Sequence, residues 1–146
     1  MTQVAFHFNA PDKMAYTCRL LRKASATGAT VVVTGEQEEL DRLDVALWTF
    51  SALEFVPHCH GDAPAAMVAA SPVILAGAGH RLPPASVLVR LGGALPADIE
   101  GYDRIIEVVG QGEQDRLDAR LRWKNYLAQG LTPAGHDVAQ RGGVHG

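Results

Sequence analysis

The chain has 146 residues, of which 47% are hydrophobic and 20% charged, with a formal net charge of −3. That length suits a single domain that buries about two-thirds of its unfolded surface. The balance excludes a disordered chain and a strongly basic nucleic-acid binder, so any contact with an anionic partner has to be local.

The predicted elements alternate from the start. "VAFHFN" (4–9) is rich in strand formers and alternates. Pro11 and Asp12 then open a helix whose apolar residues Ala15, Cys18, Leu20 and Leu21 repeat at helical spacing, with Gly28 as its stop. "ATVVVTG" (29–35) is an unbroken apolar run, as in a strand buried on both faces. "EQEELDRLDVALWTF" (36–50) is an amphipathic helix with Leu40, Leu43 and Leu47 inward and acids in its first turn. "EFVPHCHGDAP" (54–64) reads as an exposed loop. "SPVILAG" (71–77), "ASVLVRLGG" (85–93) and "YDRIIEVVG" (102–110) read as further buried strands, and "EQDRLDARLRWKNYLAQG" (113–130) as the last helix, closed by Gly130.

This order predicts a three-layer α/β/α fold, with a parallel-rich central sheet of about five strands covered by helices. Residues 1–131 form the single α/β domain, and residues 132–146 a polar, Gly-rich tail. No apolar run approaches the roughly 20 residues of a membrane helix. Cys18 and Cys59 lie outside any CxxC, and no secretory signal opens the chain. These features point to a reduced, cytoplasmic protein without a membrane partner.

Enzyme signatures are missing. The first strand–helix turn, "FNAPDKM", contains no glycine, so neither dinucleotide nor mononucleotide phosphate loop is present. The fold is then Rossmann-like without a phosphate loop, and no cofactor is expected. Glu36 stands where a ribose-binding acid would sit, but beside Glu38 and Glu39 it reads as the start of a helix. "PHCHGD" offers His58, Cys59, His60 and Asp62 as metal ligands. Adjacent ligands rarely wrap one ion, and His7 and His80 would have to arrive from a distance, so no metal is expected. "GAGH" (77–80) reads as a strand exit, and Cys18 as a small core residue.

Two surface features remain. "DRLDARLRWKNY" (115–126) carries Arg116, Arg120, Arg122 and Lys124 around Trp123. Arg116, Arg120, Trp123 and Lys124 share one helix face, while Leu117, Leu121 and Ala128 form an adjacent stripe predicted to meet the sheet. That face is either a solvated basic surface or a pocket for an acidic peptide end, its stems and ring holding a side chain and its guanidinium groups a carboxylate. Second, Trp48, Phe50, Phe55 and Val56 crowd a helix end and the following loop, which suits either core packing or a partner.

The stretch "RLDVALWTFSALEFVPH", the strand "VLVRLG" and the helix "RLDARLRWKNYLAQG" together resemble the chi subunit of bacterial DNA polymerase III. The motifs fall in the same order and spacing, and the resemblance covers about residues 4–131. It implies a non-catalytic accessory subunit of the polymerase holoenzyme in DNA replication. Such a subunit bridges the clamp loader, through the psi subunit, to the acidic C-terminal tail of single-stranded DNA-binding protein, and so meets DNA only indirectly. By position, the resemblance assigns tail binding to Arg116, Arg120, Trp123 and Lys124, with Val109 as an apolar wall, and the psi interface to Trp48 and Phe55. Trp123 stands where the family often has tyrosine, and keeps an N–H donor but no hydroxyl. Arg116 replaces a lysine and adds a fork. Two other readings stand beside this one: a nucleotide-binding enzyme on the same fold, and a direct single-stranded DNA binder stacking bases on Trp123 and Trp48.

Overall fold

A computed structural model describes residues 2–49, 56–77, 85–93 and 101–139. The elements are β1 (Gln3–Ala10), α1 (Lys13–Ala26), β2 (Val31–Thr34), α2 (Gln37–Thr49), β3 (His58–His60), α3 (Ala65–Ala70), β4 (Val73–Ala76), β5 (Val87–Arg90), β6 (Arg104–Gly110), α4 (Glu113–Ala128) and β7 (Ala134–Asp137). The strands form one sheet in the order β3-β4-β2-β5-β6-β1-β7, and every pairing is parallel. Parallel neighbours need crossovers, and these cover both faces of the sheet. The central strands are accordingly apolar except for a closing Thr34 and Arg90: VVVT, VILA and VLVR.

The alternation of side chains divides the core in two. On one face, Val31, Val33, Val73, Leu75, Val87, Val89, Ile106 and Val108 meet Cys18 and Leu21 of α1 and Leu40, Leu43 and Leu47 of α2. On the other, Val4, Phe6, Val32, Ile74, Leu88, Ile105 and Val109 meet Ala119 and Tyr126 of α4, with Val68 of α3 packed alongside. Local chemistry sets the helix ends. The Asp12 carboxylate accepts the Ala15 N–H at 3.0 Å as an N-cap. Gly28 and Gly130 take φ of 82° and 85° just past α1 and α4, a conformation that costs glycine nothing. No helix among the described residues is long and apolar enough to cross a membrane.

Among the described residues the sheet has seven strands, not about five. Both additions are edge strands. β3 falls within "PHCHGD", which is therefore not an exposed loop: Cys59 is buried, while His58 and His60 face Asp44, at 2.8 and 3.9 Å. Nδ1 of His58 also lies 2.7 Å from the Val56 carbonyl oxygen. Among the described residues no three His, Cys, Asp or Glu side chains are arranged to hold a metal ion. β7 lies beyond residue 131, in the segment read as tail, and pairs with β1 from Ala5↔Ala134 to Phe8↔Asp137. Of the "GAGH" turn, only Gly77 is among the described residues, and Phe50 and Phe55 lie outside them.

Cys18 is 1% exposed, and burial, helped by the Asp12 charge, pushes its thiol from the ordinary 9.0 up to about 11. The folded value lies above the unfolded one. The stability it contributes is therefore complete below pH 9.0 and is lost as pH rises toward about 11. Urea unfolding across that window should show wild type losing more stability than Cys18→Ala. Equal losses would contradict the burial of an un-ionised thiol.

Candidate functional site

The site is built on β1, β6 and α4. Phe6 and Phe8 are two residues apart on β1, so both point to the α4 side of the sheet. β1 lies between β6 and β7, with Phe6 level with Glu107 on one side and Gly135 on the other. Val109, two residues beyond Glu107, faces the same way. Above them α4 contributes Ala119 and Trp123. The result is a hollow of about 430 Å³ lined by Phe6, Phe8, Val109, Ala119 and Trp123, with Arg116, Arg120 and Lys124 completing the lining.

Trp123 leans on Phe6, ring centroids 5.0 Å apart at 50°, and Phe6 in turn meets Tyr126 edge-on at 5.8 Å. These tilted and edge contacts fix the ring directions. Gly135 closes the β7 side: a methyl group built there would stand 3.4 Å from Phe8 Cε1 and 3.9 Å from Trp123 Cη2. The bulge after His7 brings Asn9 to a φ of 62°. Its amide then donates to Asp137 at 3.2 Å and accepts from Gln111 at 3.1 Å, tying β7 and the β6–α4 turn to the end of β1.

Five residues singled out in the sequence, Val109, Arg116, Arg120, Trp123 and Lys124, thus open on one hollow. Phe6, Phe8 and Ala119 were missed. The only local signal for the two phenylalanines is their i, i+2 spacing in "FHF", and nothing local places β1 beside β6.

The orientation of α4 corrects the sequence reading. Leu117, Leu121 and Ala128 do not meet the sheet: Leu117 is 44% and Leu121 66% exposed, and Ala128 is exposed as well. The buried residues are Ala119, Arg122 and Tyr126. The reason lies underneath, in the wholly buried Glu107 in the middle of β6. Its carboxylate accepts from Arg90 Nε at 2.8 Å, Arg122 Nε at 2.9 Å and Tyr126 Oη at 2.7 Å. A buried carboxylate without partners is far costlier than an exposed leucine, so the helix turns its arginine and tyrosine inward. Burial, and then the charge and hydrogen bond of Glu107, hold the Tyr126 hydroxyl protonated well above the usual range. Two guanidinium groups face one carboxylate here, which leaves positive charge in excess beneath the hollow.

Of the four basic residues around Trp123, Arg122 is therefore internal. The other three are exposed, and none makes a side-chain hydrogen bond or ion pair among the described residues. The first turn of α4 is also anchored. Asp115 accepts from the Gly110 N–H at 2.8 Å and from Lys13 Nζ at 3.0 Å, and the same ammonium reaches Glu39 at 3.1 Å and the Leu91 carbonyl. A lysine held by two carboxylates thus stands at the glycine-free β1–α1 turn.

Trp48 projects from α2 on the opposite side of the sheet. It is 62% exposed next to the equally exposed Val45, and its ring meets His58 edge-on at 5.7 Å. Its candidate partner Phe55 lies outside the described residues.

The family model described as DNA polymerase III chi subunit, HolC, matches residues 1–134. The DNA polymerase III subunit chi of Pseudomonas aeruginosa is 28% identical over 145 residues, spanning 93% of this chain and 96% of that protein. With a family match over most of its length, the chain belongs to the DNA polymerase III chi subunit family, and with it to the accessory side of DNA replication.

Proposed function

We propose that the chain is a non-catalytic adaptor: it joins the clamp-loading machinery of DNA polymerase III, through the psi subunit, to the acidic C-terminal tail of single-stranded DNA-binding protein. One observation carries the tail half of this reading. Three cations that have no ion partner among the described residues ring a hollow whose walls are aromatic and aliphatic. Such a site is complementary to a chain end that is acidic, aromatic and terminated by a carboxylate. Arg120 pairs with the terminal carboxylate, supported by Arg116 and Lys124. The last aromatic side chain rests between Trp123 and the Phe8–Val109 wall. Trp123 already leans on Phe6, so its ring serves as a wall better than as a platform for stacked bases.

The psi half rests on the exposed Trp48 and Val45 of α2, with Phe55 as the further residue assigned by resemblance. Because α2 and α4 cover opposite faces of the sheet, both partners fit at once.

Calorimetric titration with a peptide copying the acidic terminus, intact or lacking its last residue, tests the tail assignment. The intact peptide should bind, its affinity falling as salt is raised, and the shortened one should not. Equal binding of the two, or saturable binding of bare single-stranded oligonucleotide at this face, would overturn the reading.

A further inference from the structure

α4 is turned inside out for a helix lying on a sheet: it buries an arginine and leaves Leu117 and Leu121 outside. The two leucines are one turn apart on a single stripe. Arg120 lies three residues beyond Leu117, and Lys124 three beyond Leu121, so each leucine adjoins a cation that lines the hollow. The surface therefore runs from the hollow, across a row of positive charge, to an apolar crest. Contiguous exposed apolar groups rimmed by charge mark interaction surfaces.

The charges select the occupant. A second copy docking across a two-fold axis would set Arg116, Arg120 and Lys124 against their own equivalents. An acidic segment carrying apolar residues would satisfy both stripes. We propose that Leu117 and Leu121 form an outer part of the same receptor, taking apolar side chains that lie upstream of the captured terminus in an acidic partner segment. The inference rests on the reading of the hollow as a receptor for that terminus, and it extends the contact over the crest of the helix.

The test uses three synthetic peptides with free C-terminal carboxylates. At about 3.3 Å per extended residue, one of about four residues (aspartates and a final phenylalanine) fills the hollow alone, whereas peptides of about twelve residues reach the crest. One long peptide carries two leucines upstream and the other glycines in their place. The double variant Leu117→Gln with Leu121→Gln keeps good helix formers at exposed positions, and its thermal melt verifies the fold. It should bind the leucine peptide about tenfold more weakly than wild type, while the short and glycine peptides lose nothing. Unchanged affinity for the leucine peptide overturns the proposal, as does a leucine-dependent dimer in sedimentation, which would place a second copy on the crest. If the short peptide fails while the leucine peptide binds and depends on Leu117 and Leu121, the hollow reading falls and takes with it the proposal that the crest extends the same receptor, whereas a short peptide that binds beside an indifferent crest overturns the proposal alone. If neither binds wild type, both fall.

Discussion

Replacing Glu107 with glutamine should lower the stability of the fold by about 3–5 kcal/mol, the usual cost of breaking a buried ion pair from one side. The substitution is almost isosteric, so the effect isolates charge. Arg90 is fully buried and Arg122 nearly so, and Glu107 is the only carboxylate bonded to either among the described residues. The amide would leave two cations without a counter-charge, and its NH2 group would point at a donor. The loss should appear as an earlier urea midpoint and a melting temperature lower by roughly 10 °C for a domain of this size. Because Arg122 and Tyr126 tie α4 to the sheet, the same variant should loosen the floor of the hollow and weaken tail binding in parallel. A change in stability below about 1 kcal/mol would show that the network does not hold the helix, contrary to the usual penalty for unpaired buried charge.

Arg120→Ala should do the reverse, leaving the fold unchanged and removing function. Arg120 is exposed and makes no side-chain bond among the described residues, so its loss should move stability by no more than about 0.5 kcal/mol. Removing the charged partner of a desolvated carboxylate costs about 2–5 kcal/mol of binding, which is tenfold or more. Arg122, two residues along the same helix, supplies the contrast. Its alanine variant should destabilise the protein, because Arg122 serves Glu107 and not the hollow. Affinity within twofold of wild type for Arg120→Ala would count against the tail assignment.

Much of the scaffold was legible in the residues. The unbroken apolar runs at 31–33, 73–76 and 87–89 signal strands buried on both faces, and all three lie inside the sheet. Asp12, Gly28 and Gly130 mark helix ends because each performs a local backbone task. The two edge strands were not legible. β3 and β7 are three and four residues long, carry no apolar run, and owe their conformation to pairing with a neighbour distant in sequence.

The orientation of α4 was misread for a related reason. Its leucines repeat at helical spacing, but the face of the sheet beneath it carries, among its apolar side chains, a buried carboxylate that must be paired. That requirement links Arg90 and Arg122 across 17 and 15 residues of chain to Glu107 and has no periodicity to betray it. The signal that was available is the charge itself: a glutamate inside "RIIEVVG" and an arginine closing "VLVR" are two ionisable groups on otherwise buried strands. In the candidate site, the cations and Trp123 were visible because one helix carries them all. The β1 wall depends on which strand lies beside β6, which only the assembled sheet decides.

The proposed receptor stands or falls on whether Arg120 meets a partner's terminal carboxylate beside Trp123. A double-mutant cycle tests it most directly: wild type and Arg120→Ala, each titrated with the acidic tail peptide bearing a free or an amidated C-terminus. If the two groups pair, amidation weakens binding to wild type by at least about tenfold and has little further effect on Arg120→Ala. Losses that simply add would mean that the guanidinium and the carboxylate do not meet, and would contradict the account.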